Sequence, residues 1–110
     1  MQNIDINDVS LKMVTAFQTV FKKKWPDIKE FAESEAKKFA TNMAEIETWK
    51  MNNKITENQA KALSRLHQRS MKMVFTALKG ISLTLAEDAI NAALNVIRTT
   101  INTAIGWSII

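Results

Sequence analysis

The stretch of residues 84–108 reads TLAEDAINAALNVIRTTINTAIGWS. Its small and apolar side chains recur at alternating steps of four and three residues: Ile90, Leu94, Ile97, Ile101, Ala104 and Ser108. This spacing places them on one face of an α-helix, in the pattern of a seam packed between helices. The stretch therefore predicts a helix that begins near Thr84 and lies at the centre of a helical assembly.

The helix before this stretch has the strongest start signal in the chain. Thr56 and Gln59 have the spacing of a capping box, in which each side chain bonds the main-chain N–H of the other residue. The residues after this start recur at helical spacing. They predict an inward face made of Leu63, Leu66, Ser70, Met73, Val74, Ala77, Leu78 and Ile81. Gly80 is predicted to cap the end of this helix. A single bent helix that runs through Gly80 is an alternative, because one internal glycine costs only about 1 kcal/mol.

Two further helices are predicted upstream. The first has Asn7 or Asp8 as its cap and ends at the lysines of residues 22–24, and the second begins at Pro26, which suits a first helical turn. A chain of 110 residues can build one core, and its two glycines and one proline leave little turn chemistry for strands. The sequence thus predicts an all-α antiparallel bundle of about four helices, in a single domain that covers residues 1–110.

Groups suited to catalysis or to binding a metal or cofactor are scarce. The chain has no cysteine, which excludes thiol catalysis and thiolate metal sites. Its one histidine, His67, follows Ser64 by three positions, where a di-iron bundle would need a carboxylate. His67 is therefore interpreted as a hydrogen-bonded residue beside the core, with a lone base or pH switch as the alternative. We predict no enzyme activity, no cofactor and no small-molecule substrate.

The last third of the chain predicts a contact between copies. Residues 81–110 hold three charged side chains. The polar side of the last helix lacks the lysines and glutamates that are usual on a solvent-exposed face. We predict that a second copy covers this side through Asn91, Asn95, Arg98, Asn102 and Trp107. The small residues Ala89, Ala92, Ala93 and Val96 would let a neighbouring helix approach closely. A monomer in which the other three helices cover the last one fits the same pattern.

A basic ridge supports an alternative function. Residues 58–86 contain no acid and carry five cations at helical spacing along the third helix, Lys61, Arg65, Arg69, Lys72 and Lys79. Such a ridge would bind the phosphates of a nucleic acid or of anionic lipid headgroups, and the binding would weaken with salt. An ordinary solvated face explains the same residues, because no known nucleic-acid-binding motif accompanies them.

Membrane action by residues 81–110 is a further alternative. Asparagines, threonines and Arg98 interrupt this stretch, so it is not expected to span a bilayer. Residues 1–8 carry acids and asparagines where a secretory signal would place lysines before an apolar run, and we therefore expect a cytoplasmic protein. The formal net charge of +4 favours acidic partners.

Overall fold

The computed structural model describes residues 3–110, and within them it contains four α-helices and no strand. The helices are α1 (Ile6–Phe21), α2 (Trp25–Met51), α3 (Glu57–Ala77) and α4 (Leu83–Ile105). A single 3₁₀ turn, Lys22–Lys24, joins α1 to α2. The prediction of an all-α fold is confirmed, and α3 and α4 are separate helices.

Consecutive helices run in opposite directions. The main-chain N–H groups of Asn3 and Ile4, just before α1, donate to Oε1 of Glu47 near the end of α2, at 2.9 and 3.1 Å. The Nζ of Lys50 at the end of α2 donates to the carbonyl of Ile105 at the end of α4. The start of α1 therefore lies beside the ends of α2 and α4. The result is an up-down-up-down bundle with extents of 43 × 23 × 18 Å.

Small side chains let α1 pack closely between α2 and α4. On α2, the buried alanines Ala36, Ala40 and Ala44 share the side that carries Glu47, which bonds the main chain just before α1. The core residues of α1 are large by comparison: Val9, Met13, Phe17 and Phe21. Alanines on one helix leave room for large side chains on its neighbour, which is how a core reaches native packing density.

The repeat in α4 forms the predicted seam over most of its length. Ile90, Leu94, Ile97 and Ile101 are all buried, with at most 5% of each side chain exposed. The last predicted position, Ser108, is exposed because it lies beyond the end of the helix. Its inclusion in the seam was wrong, and the buried Ile105 is the last residue that the helix presents to the core.

The inward face of α3 differs from the predicted one. Leu66 and Met73 are 56% and 71% exposed, so their assignment to the core was wrong. Phe75 is fully buried, with its ring centroid 5.1 Å from that of Phe17 and 5.3 Å from that of Phe21, both edge-to-face. These contacts turn α3 so that its buried residues are Ala60, Ser64, Met71 and Phe75.

Two of the helix starts test the capping predictions directly. The predicted capping box is present: Thr56 N–H donates to Oε1 of Gln59 at 2.9 Å, and Gln59 N–H donates to Oγ1 of Thr56 at 3.2 Å. For α1 the predicted cap was wrong, because Asp5 has the extended backbone of a cap and accepts from the N–H of Asp8 at 3.1 Å. Several short polar residues precede the first apolar repeat, and each of them suits a cap.

The junction between α3 and α4 also differs from the prediction. The helix was predicted to begin near Thr84, but α4 is capped two residues earlier by Ser82, whose hydroxyl accepts an N–H of the first turn at 3.1 Å. Gly80 has a φ of +82° and lies in a turn in which Ile81 N–H donates to the carbonyl of Leu78 at 3.2 Å. Glycine adopts such a left-handed backbone without steric cost. Gly80 therefore shapes the turn and does not cap α3, which has already ended.

Candidate interaction surfaces

An apolar groove of about 600 Å³ runs between α1 and α4 on the outside of the bundle. Its walls include Leu11, Thr15, Ala16 and Val20 from α1, and Ala92 and Val96 from α4. Leu11 is 66% exposed and Val96 is 51% exposed, although both are large apolar side chains. A contiguous apolar patch of this kind marks a surface that docks another molecule more often than an isolated exposed leucine does.

The polar groups of this groove already have partners within α1. The hydroxyls of Thr15 and Thr19 donate to the carbonyls of Leu11 and Thr15, each at 3.0 Å. The two charged residues in the lining, Asp8 and Lys12, form an ion pair at 3.1 Å. Covering the two hydroxyls therefore costs little desolvation, whereas the half-exposed Asp8–Lys12 pair would lose hydration if it were buried.

The predicted contact surface of α4 lies partly beside this groove. Asn91, Asn95 and Arg98 are exposed, and Nη1 of Arg98 donates to Oδ1 of Asn95 at 2.6 Å. Residues 91–103 contain one charged side chain, Arg98. Consecutive residues project about 100° apart around a helix, so Asn95 lies beside the groove, on the adjoining and nearly uncharged outer face of α4.

The other two residues of the predicted contact hold the carboxyl-terminal tail. Oδ1 of Asn102 accepts the N–H groups of Ile109 and Ile110 at 3.0 and 3.1 Å, and its Nδ2 donates to the Ile110 carbonyl at 3.2 Å. Trp107 packs beneath Lys50, with Nζ 4.7 Å from the ring centroid. Asn102 and Trp107 thus have structural roles within one chain. Similarly, Ala89 and Ala93 are fully buried inside the bundle.

A second groove, of about 220 Å³, lies between α3 and α4 and has a different chemistry. Its lining includes Arg65, Arg69 and Lys72 from α3, and Glu87, Ile90 and Asn91 from α4. The ion pairs formed by residues 3–110 join Lys12 to Asp8, Lys38 to Glu35 and Lys61 to Glu57. The three cations of the groove therefore have no carboxylate within 4 Å in this part of the chain.

The predicted basic ridge is shorter than its sequence suggested. Lys61 pairs with Glu57 one turn earlier, with Nζ 3.0 Å from Oε2. Lys79 lies in the turn after α3 and not on the helix. Arg65, Arg69 and Lys72 are the members of the ridge that line the α3–α4 groove.

His67 lies half-buried between α3 and α2. Its Nδ1 is 3.1 Å from Nδ2 of Asn42, and an amide nitrogen donates to this ring atom only when the imidazole is neutral. Burial lowers the pKa of His67 below its ordinary value near 6.5, and the Glu45 carboxylate opposes this shift. No group of three or more histidine and acidic side chains suited to a metal ion occurs within residues 3–110. His67 thus occupies the place that the structural interpretation predicted.

We expect His67 to make the stability of the bundle sensitive to pH. Because its pKa is lowered in the folded state, the unfolded chain takes up the proton first as the pH falls. The contribution of neutral His67 to the free energy of unfolding is therefore complete above about pH 6.5. It is lost as the pH falls from there towards the pKa of the folded state. We expect the free energy of unfolding to fall more steeply below about pH 6.5 in the wild type than in His67→Gln. Urea titrations across this range would measure it, and parallel curves for the two proteins would contradict it.

No known protein family matches the chain, and neither does any curated protein or solved structure. Among residues 3–110, no helix has the length and apolar character needed to cross a bilayer. The function is therefore inferred from the two grooves and their charges.

Proposed function

We propose that this protein is a non-catalytic interaction module that associates with a second copy of itself. The contact is the α1–α4 groove together with the adjoining outer face of α4. The observation that carries the proposal is the exposure of Leu11 and Val96 in a groove whose hydroxyls and charges are already partnered. Removing such apolar surface from water contributes about 25 cal/mol per Å².

The distribution of charge favours a second copy as the occupant. Two chains that each carry a net charge of +4 repel one another on average. The α1–α4 surface contributes little to this repulsion, because Asp8 and Lys12 neutralise each other and residues 91–103 carry one charge. The α3–α4 groove, in contrast, presents Arg65, Arg69 and Lys72. Copies of the chain therefore meet with least repulsion through α1 and α4.

The size of the surface predicts a reversible dimer. The 16 residues of α1 span about 24 Å, and two neighbouring helices are about 20 Å wide. The face thus covers roughly 500 Å² on each copy in projection, and about 1,000 Å² in total is at the lower end of specific interfaces. A two-fold axis would let both copies use the same patch. We expect a dimer that dissociates on dilution.

Charge introduced into the groove should abolish this dimer. Val96→Arg or Leu11→Arg would place an unpaired guanidinium in the contact, which is strongly unfavourable. We expect both variants to sediment as monomers at every concentration, whereas the wild type shifts towards a dimer as the concentration rises. Sedimentation velocity over a range from low micromolar to near-millimolar protein would measure the shift.

Matched controls come from α3, the helix diagonal to α1. Leu66→Arg and Met73→Arg introduce the same charge at apolar positions of similar exposure, 56% and 71%. We expect these variants to dimerise as the wild type does. A wild type that stays monomeric throughout, or equal weakening by the α1–α4 and α3 variants, would contradict the proposal.

The two alternative functions have less support. Membrane action by residues 81–110 would require the buried side chains of the α4 seam to leave the core. Nucleic-acid binding would rest on three converging cations, and the lining of the α3–α4 groove holds no aromatic side chain on which a base could stack. The predicted cytoplasmic location remains part of the proposal.

A further inference from the structure

Three cations of α3 repel one another in the free protein. Arg65 and Arg69 are four residues apart and Lys72 follows three residues later, and like charges at these spacings destabilise a helix. Within residues 3–110, no carboxylate lies within 4 Å of any of the three. Lys61 on the same helix, in contrast, has a partner one turn away. An external anion would relieve this repulsion.

The shape of the α3–α4 groove restricts the size of that anion. Its volume of about 220 Å³ is below the ~300 Å³ at which pockets for whole small molecules begin. It therefore suits one anionic group that projects from a larger structure. Guanidinium groups match the geometry of phosphate oxygens, and the amide of Asn91 on the opposite wall adds a neutral donor. Glu87, also in the lining, would weaken the binding of any anion.

Exposed apolar side chains next to the cations indicate which larger structure carries the phosphate. Leu66 and Met73 are seven residues apart, so both project from the outer face of α3, beside the arginines. A nucleic-acid backbone would use the cations and leave these two side chains in water. A phospholipid surface would use both, because headgroup phosphates attract lysine and arginine while leucine and methionine enter the interface.

We propose that α3 docks this protein on an anionic phospholipid surface. A headgroup phosphate occupies the α3–α4 groove between Arg65, Arg69 and Lys72, and Leu66 and Met73 insert at the level of the headgroups. The inference does not depend on the proposed dimer, since the cations and the apolar side chains that it uses all lie on α3, which is outside the proposed contact. The two surfaces meet at Asn91, which lines the α3–α4 groove and also belongs to the outer face of α4.

Vesicle flotation tests the charge requirement. We expect the full chain to float with vesicles of phosphatidylcholine and phosphatidylserine, to remain unbound with phosphatidylcholine alone, and to dissociate as salt is raised. Each cation removed near such a surface weakens binding about fivefold, so Arg65→Gln with Arg69→Gln should weaken it by roughly 25-fold. Glu87→Gln should strengthen it about fivefold, a gain that no folding defect would produce.

The apolar requirement is tested at constant charge. Leu66→Asn with Met73→Asn should reduce vesicle binding, whereas the control pair, Leu11→Asn with Val96→Asn, should leave it unchanged while weakening the dimer. Circular dichroism is expected to be the same for all these proteins because the substituted side chains are exposed. Each pair of variants is thus expected to weaken one kind of binding and to leave the other unchanged. Failure of this inference can therefore be distinguished from failure of the proposed dimer.

Several outcomes would overturn the inference. Equal binding to neutral vesicles, or no effect of the arginine and Glu87→Gln variants, would remove the groove as the phosphate site. Tighter binding to duplex DNA than to vesicles at equal phosphate concentration, with no effect of the Leu66 and Met73 pair, would assign the cations to nucleic acid. Release of the protein from vesicles by low concentrations of inorganic phosphate would assign the groove to the free ion.

Discussion

Replacing Phe75 by alanine is expected to lower the free energy of unfolding by about 3 to 5 kcal/mol. Phe75 is fully buried, and its ring meets those of Phe17 and Phe21 edge-to-face at 5.1 and 5.3 Å. The substitution removes two aromatic pairs, each worth about 0.5 to 1.5 kcal/mol beyond the buried area, and it leaves a cavity in the core. These rings join α3 to the diagonal helix α1, so the loss affects the whole bundle.

Denaturant titration would measure this loss, with Met73→Ala as the control. Met73 lies two residues away on the same helix but is 71% exposed, and its truncation should change the free energy of unfolding by no more than about 0.5 kcal/mol. A larger loss for Met73→Ala than for Phe75→Ala would mean that α3 is turned as its sequence first suggested.

Ile97→Ala is expected to cost about 2 to 5 kcal/mol, because Ile97 is fully buried at the middle of the α4 seam. The adjacent Val96 is 51% exposed in the α1–α4 groove. Val96→Ala should therefore change the stability of the monomer by less than about 1 kcal/mol, although it shortens a side chain at the proposed contact. The comparison is best made at low protein concentration, where dimerisation contributes little to stability. A loss below ~1 kcal/mol for Ile97→Ala would place α4 at the periphery of the bundle.

Local signals in the sequence predicted the helices well. The Thr56–Gln59 box formed as expected because its two hydrogen bonds depend on residues three positions apart. The α4 repeat also predicted burial correctly from Ile90 to Ile101, since one continuous apolar stripe leaves a helix a single way to face the core. Caps were less predictable where several short polar residues compete for one start, as they do before α1.

The orientation of α3 could not be predicted from its own residues. The helix carries one stripe with Leu66 and Met73 and another with Met71 and Phe75, and both have helical spacing. The choice between them is made by the phenylalanines of α1, which are distant in the sequence. The same reason explains why the exposed apolar surface of α3 was missed: those residues were assigned to the core.

The candidate surfaces were predictable only in part. Asn91, Asn95 and Arg98 are exposed in the single chain, which leaves them available for the contact predicted from the low charge of α4, but Asn102 and Trp107 are engaged by the tail and by Lys50. The tail after α4 is not helical, so no periodicity in its sequence could predict that it folds back on the helix. The α1–α4 groove is lined by residues from opposite ends of the chain. No local pattern in the sequence could therefore predict that Leu11 and Val96 line the same groove.

Association of two copies through α1 and α4 can be tested by measuring distances between identical sites. The chain has no cysteine, so a single cysteine at Asn95 or at Met73 can carry a spin label. Asn95 lies at the edge of the proposed contact, and Met73 projects from α3, away from it. Pulsed dipolar spectroscopy at high protein concentration should give a short, narrow intermolecular distance for the Asn95 label and a much longer one for the Met73 label. No dipolar coupling at Asn95, or the short distance at Met73 instead, would contradict the account.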